Sequence, residues 1–211
     1  MKEMNEKAPL SIRIIYWFTN IIFGLLILIF IASIVFNILL YTNFFGDDMQ
    51  LHTRLPVKVD FIEIGNLRVQ DQDIKVELVD ATTQIHFINT PAFITKKVGI
   101  IIMVVILFTG FLTWTFQRFI KNVKNGEIFT VNNISLLKRL AYGIAGFWLF
   151  TVVYMQISYH LMAKYLEFEN VRITNEVQSY SGILFVALFI WVLAHIFITG
   201  VKLKQENDLT I

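Results

Sequence analysis

IIYWFTNIIFGLLILIFIASIVFNILLY, residues 14–41, decides the fold class. A hydrocarbon core of about 30 Å takes roughly 20 helical residues, and this run carries no Asp, Glu, Lys or Arg in 28 positions. Lys2, Lys7 and Arg13 precede it, as basic residues precede a signal peptide. The apolar run is nevertheless about twice the length of an h-region, and no small-x-small cleavage site follows. It reads as a retained signal anchor, and at about 1.5 Å per residue it should tilt or project beyond the bilayer.

Three more apolar runs, 98–116, 140–162 and 182–201, are long enough to span. Composition agrees, with 56% hydrophobic residues against 16% charged, twenty Phe and a mean hydropathy of +0.63. The expected fold is an all-α membrane protein: four transmembrane helices with a small antiparallel β insertion between helices 1 and 2. A net charge of only +2 gives the whole chain no field for nucleic acid, so direct nucleic-acid binding is not expected. The absence of cysteine excludes disulfides, thiolate metal sites and Cys nucleophiles.

Basic residues set the expected orientation. Lys2, Lys7 and Arg13, then Arg118, Lys121, Lys124, Lys138 and Arg139, then Lys202 and Lys204 put ten in short segments, against eight in the longer segments opposite. The positive-inside rule places both termini and the middle linker in the cytoplasm of a multi-pass protein of the cell inner membrane. Lys96 and Lys97 at the outer end of the second span weigh against it.

The chain divides into a cytoplasmic tail with the first helix (1–42), an outward-facing β domain (43–96), and helices 2–4 (97–211) with a cytoplasmic hairpin (118–139) and tail (202–211). The insertion has four basic residues before Lys96 against eight acidic ones. VKVDF (57–61), DIKVEL (73–78) and QIHF (84–87) alternate as half-buried strands do. Gly65-Asn66 reads as a two-residue hairpin turn, giving three or four strands. LEFENVRIT (166–174) offers one more.

The linker NGEIFTVNNISLLKRL (125–140) reads as a capped turn. Asn125-Gly126 is a helix stop, because Gly accepts the left-handed backbone, and Thr130 is placed to cap the next helix near Asn132 and Asn133. Ile128 and Phe129 should seal the turn while the four flanking cations face anionic headgroups. A small face at Ala141, Gly143, Ala145 and Gly146, with Gly24 and Gly110, suits close helix packing within the chain or with a second subunit. Trp17, Trp114, Tyr16, Tyr41, Tyr142 and Tyr159 read as interface anchors, and Trp148 and Trp191 as core.

No nucleotide loop, HExxH, GxSxG, carboxylate pair or His/Cys metal spacing occurs, so no enzyme, catalytic residue, metal or cofactor is expected. The polar candidates are intramembrane: Asn37, Gln156 and His160 in the outer half, Asn20, His195 and Arg118 in the inner half. Interhelical hydrogen bonds, worth about 0.6 kcal/mol for an average pair, explain such residues without chemistry. A proton relay usually needs an intramembrane Asp or Glu, which none of the runs contains.

The pattern G-E-x-F-T-x-x-N-x-x-x-L-x-x-L in the linker, with F-x-x-G-x-x-L-x-x-E-x-D-L-T-I closing the chain (Phe197, Gly200, Leu203, Glu206, 208–211), resembles a bacterial family of membrane proteins, domain of unknown function 2975. The resemblance extends along essentially the whole chain. Glu127 stands where members often carry Pro before the Phe, and Lys204-Gln205 where a Gln-Glu-like pair is common. It implies no activity, but suggests a small cytoplasmic helix-turn-helix regulator as partner.

The leading expectation is a non-enzymatic sensor, regulatory or partner-binding protein whose inner surface is Lys121, Lys124, Phe129, Thr130, Asn133, Lys138 and Arg139. The alternatives are a small transporter, channel or immunity-type protein acting within the bilayer, and a structural subunit of a larger complex. The tail KQENDLTI is either a disordered terminus or a strand added to another protein's sheet.

Overall fold

The computed structural model describes residues 8–44, 46, 54–69, 72–86, 92–161, 166–168, 172–174 and 180–208. Its elements are α1 (Leu10–Tyr41), β1 (Arg54–Val69), β2 (Gln72–His86), α2 (Ala92–Lys124), α3 (Val131–Leu161), β3 (Arg172–Ile173) and α4 (Ser181–Asp208). All four helices are long and apolar enough to cross a membrane. The contacts divide the chain into two units, one of 1–46, 96–148 and 181–211, the other of 47–95 and 149–180.

In the first unit small and branched residues form the seams. Ala187, Ala194 and Val201 are buried at seven-residue intervals along α4, the repeat that keeps one side of a helix turned to its neighbours. On α3 Asn133, Leu137 and Leu140 are buried, which is an i, i+4, i+7 stripe. Gly143 lets α2 come close: a Cβ there would stand 2.8 Å from Leu112 Cδ2. The small face at 141–146 is thus used within the chain at Gly143, whereas Gly24, Gly110 and Gly146 face open space and are no close-packing points among the described residues. Trp191 is 40% exposed, contrary to its expected place in the core.

Two amides join α1 to α2 in this unit. The Asn37 side chain donates to Gly99 O at 3.3 Å, and Gln117 donates to the Asn20 amide oxygen. Lys96 donates to Asn43 Oδ1 at 3.2 Å and lies over the Tyr41 ring. That puts its charge at the C-terminal end of α1, where the helix dipole favours a cation.

In the second unit β1 and β2 form an antiparallel ribbon, and Val59 and Asp60 of β1 pair with Ile173 and Arg172 of β3, in the order β2-β1-β3. The expected turn at Gly65-Asn66 is overturned, because β1 runs through it with Gly65 opposite Val76 and Asn66 opposite Lys75. Neither residue has the positive φ that such a turn needs. Residues 73–78 and 84–86 accordingly belong to one strand, so the sheet has two long strands and one short one among the described residues. An irregularity between Asp60 and Glu63 shifts the pairing by one residue.

Candidate functional site: the α2–α3 hairpin and its polar cleft

Chain geometry closes the hairpin first. Gly126 ends α2 with φ +84, and the Asn133 backbone N–H donates to Thr130 Oγ1 at 3.2 Å, which makes Thr130 the N-cap of α3. Asn133, 0% exposed, then fills the loop from inside. Its amide nitrogen donates to Glu127 O at 2.5 Å and Ile128 O at 2.8 Å, and its oxygen accepts from Asn122 at 2.7 Å. One side chain so satisfies two loop carbonyls and ties them to the last turns of α2.

Phe129 leaves the loop for α4. Its ring lies 5.4 Å from that of Phe197, which in turn lies 5.8 Å from Phe119 of α2. Gly200 supplies the space, because a Cβ there would overlap the Phe129 ring. The two segments that carry the family resemblance, 70 residues apart in sequence, therefore meet at this contact.

The other side of the hairpin is polar. Tyr16, Trp114, Gln117, Arg118, Lys121, Asn122, Asn132, Leu136 and Arg139 line a cleft of about 520 Å³. Spacing explains the set: 114, 118 and 122 lie on one stripe of α2, and 132, 136 and 139 on one stripe of α3. The Arg118 guanidinium lies 4.4 Å from the centre of the Trp114 ring, and Lys124 lies 4.3 Å from that of Tyr16. Among the described residues no carboxylate lines the cleft.

Of the residues expected at the inner surface, Lys121 and Arg139 share this cleft, Lys124 stands beside it on Tyr16, and Lys138 is half-buried and outside its lining. Thr130 and Asn133 belong to the lock, and Phe129 to the α4 contact. The polar intramembrane residues of the first unit meet different partners. Asn37 bonds to α2, and His195 packs edge-on against Trp191 of its own helix. In the second unit the His160 ring bonds to Gln156 of its own helix. No group of His, Cys, Asp and Glu suited to a metal ion occurs among the described residues. Gln117, Asn122 and Asn132 were not expected as site residues, although the helical spacing that aligns them with Arg118, Lys121 and Arg139 is present in the sequence; Arg118, expected as an intramembrane polar residue, lines the cleft.

Four membrane-length helices, a locked basic hairpin and a small antiparallel sheet fit a multi-pass membrane protein. The chain belongs to the family described as protein of unknown function, DUF2975, whose model matches residues 2–211. No curated protein and no solved structure matches it.

Proposed function

We propose that the protein is a non-enzymatic regulator or sensor of the bacterial inner membrane, with both termini and the α2–α3 hairpin in the cytoplasm and the β unit outside. The hairpin holds a cytoplasmic partner with an acidic face, and the small helix-turn-helix regulator suggested by the family resemblance is the reading pursued.

The observation that carries this proposal is the hairpin's construction. Its loop is fixed through Asn133, while Lys121, Lys124, Lys138 and Arg139 meet no carboxylate among the described residues. A rigid scaffold with uncompensated charge suits complementary recognition, since little ordering cost remains to be met on binding. At the far end of the ribbon Leu67, Ile74 and Val76 are exposed on one face, which suits an external contact by the β unit. The transporter or channel alternative has less support: Asn20 and Asn37 bond to α2, and neither histidine ring bonds another helix among the described residues.

Crosslinking in native membranes, with captured proteins identified by mass spectrometry, tests the proposal. A small DNA-binding protein should be captured by the unaltered chain and lost when Lys121, Lys124, Lys138 and Arg139 are all replaced by Gln. Undiminished capture by that variant overturns the hairpin as the binding surface.

A further inference from the structure

The polar cleft has a chemistry of its own, apart from any protein partner. Arg118, Lys121 and Arg139 converge on a space of about 520 Å³, and among the described residues no carboxylate lines it and none of the three is ion-paired. Guanidinium groups present planar forks matched to phosphate oxygens, and the Trp114 ring holds that of Arg118 without neutralising it. Asn122 and Asn132 add amide donors at the wall.

Trp114 lines a second space as well. An apolar groove of about 380 Å³ runs between α1 and α2, bounded by Phe23, Ile27, Phe30, Leu107 and Phe111 among others. Through Trp114 the cationic cleft borders a channel for hydrocarbon, the layout that an amphiphile with an anionic head would need. Basic pockets between membrane helices bind phosphorylated headgroups for the same reason.

We infer that the cleft between α1, α2 and α3 binds a phosphate ester through Arg118, Lys121 and Arg139, and that its source is an anionic phospholipid whose acyl chain lies along the α1–α2 groove. A free phosphate ion shares the headgroup chemistry but has nothing to place in the groove. The inference does not rest on capture of a protein partner, because it concerns the purified chain.

The full chain in non-ionic detergent is titrated with dioleoyl phosphatidylglycerol, dioleoyl phosphatidylcholine and inorganic phosphate, bound lipid being counted by native mass spectrometry and phosphate binding read by calorimetry. Saturable binding of phosphatidylglycerol over phosphatidylcholine is expected. It should weaken about tenfold or more in Lys121→Gln/Arg139→Gln, two exposed positions, since charge-assisted hydrogen bonds are removed. Lys202→Gln/Lys204→Gln, exposed on α4 and outside the cleft lining, should bind as the unaltered chain does, and Arg118→Lys should retain part of the affinity. Phosphate binding with the same sensitivity to these variants would support the anion site and overturn the lipid source. Equal binding of the two lipids with no phosphate binding, or cleft variants with helical circular dichroism and undiminished binding, overturns the inference.

Discussion

Gly200 of α4 faces the ring of Phe129 with no room for a Cβ between them. The contact binds the α2–α3 loop to the last helix, and Phe197 and Phe119 extend it to α2. Gly200→Ala should therefore lower stability by about 1–3 kcal/mol, the usual cost of overpacking. Phe129→Leu in the same chain should recover part of the loss, because the two changes act on one volume. Thermal unfolding of the four proteins in one detergent decides it, and additive losses would show that the pair is not coupled.

Asn133 should be the most sensitive polar position in the hairpin. Asn133→Ala removes three hydrogen bonds, to Asn122, Glu127 and Ile128, a loss of about 2–4 kcal/mol at roughly 1 kcal/mol for each bond. Asn133→Asp keeps the shape but cannot donate when ionised, so at neutral pH it should be no more stable than the alanine variant. Denaturant titration checks both, and an Asp variant as stable as the unaltered chain would contradict the assigned donors.

Thr130→Ala should cost about 1 kcal/mol through the lost N-cap, while Thr130→Ser should be close to neutral. Gly126→Ala, at φ +84, should cost about as much through backbone strain. Equal unfolding midpoints for Thr130→Ala and Thr130→Ser would remove the cap from the account.

Asn37 should tolerate apolar replacement better than Asn133. Asn37 is buried, yet its Oδ1 has no hydrogen-bond partner, and it lies so near Gly99 that a Cβ there would stand 2.5 Å from that oxygen. Asn37→Leu should lower stability by about 1–2 kcal/mol, because the gain from removing the unpaired Oδ1 is offset by the lost hydrogen bond to Gly99 O and by the larger side chain beside Gly99. Gly99→Ala should cost about 1–3 kcal/mol by forcing α1 and α2 apart. A Leu variant as unstable as Asn133→Ala would show the amide to be indispensable.

His160→Leu combined with His195→Leu should leave partner crosslinking undiminished, since both residues are exposed and their rings contact only their own helices among the described residues. Loss of crosslinking with the protein still folded would favour a relay over a sensor.

The helices were legible because their signal is redundant: in residues 14–41 no single position decides the span. The hairpin was legible for a different reason, since Gly126 and Thr130 obey local rules of backbone sign and capping that need no tertiary partner. Where local rules misled, at Gly65-Asn66, pairing with Val76 and Lys75 kept the strand extended against its turn propensity. In the tail α4 continues through Asp208, and 209–211, the end expected either to be disordered or to add a strand to another protein's sheet, lie outside the described residues. Phe87 of the expected strand 84–87 lies outside them too. The cleft stayed hidden because its walls come from three helices, and helical spacing fixes which residues share a face without fixing which faces meet. Gly200 was visible in the closing pattern, but only Phe129 gives its missing side chain a purpose.

That missing side chain also sets how α4 can move. A glycine notch filled by a ring holds one position: a screw step of one residue, about 1.5 Å along the axis with about 100° of rotation, would bring Thr199 or Val201 against Phe129 instead. The hairpin and the last helix are thus engaged like a detent, which resists small displacements and yields all at once. Whatever acts on residues 202–208 meets a threshold before it reaches the loop, and a response across this contact would be stepwise where a compliant joint would give a graded one.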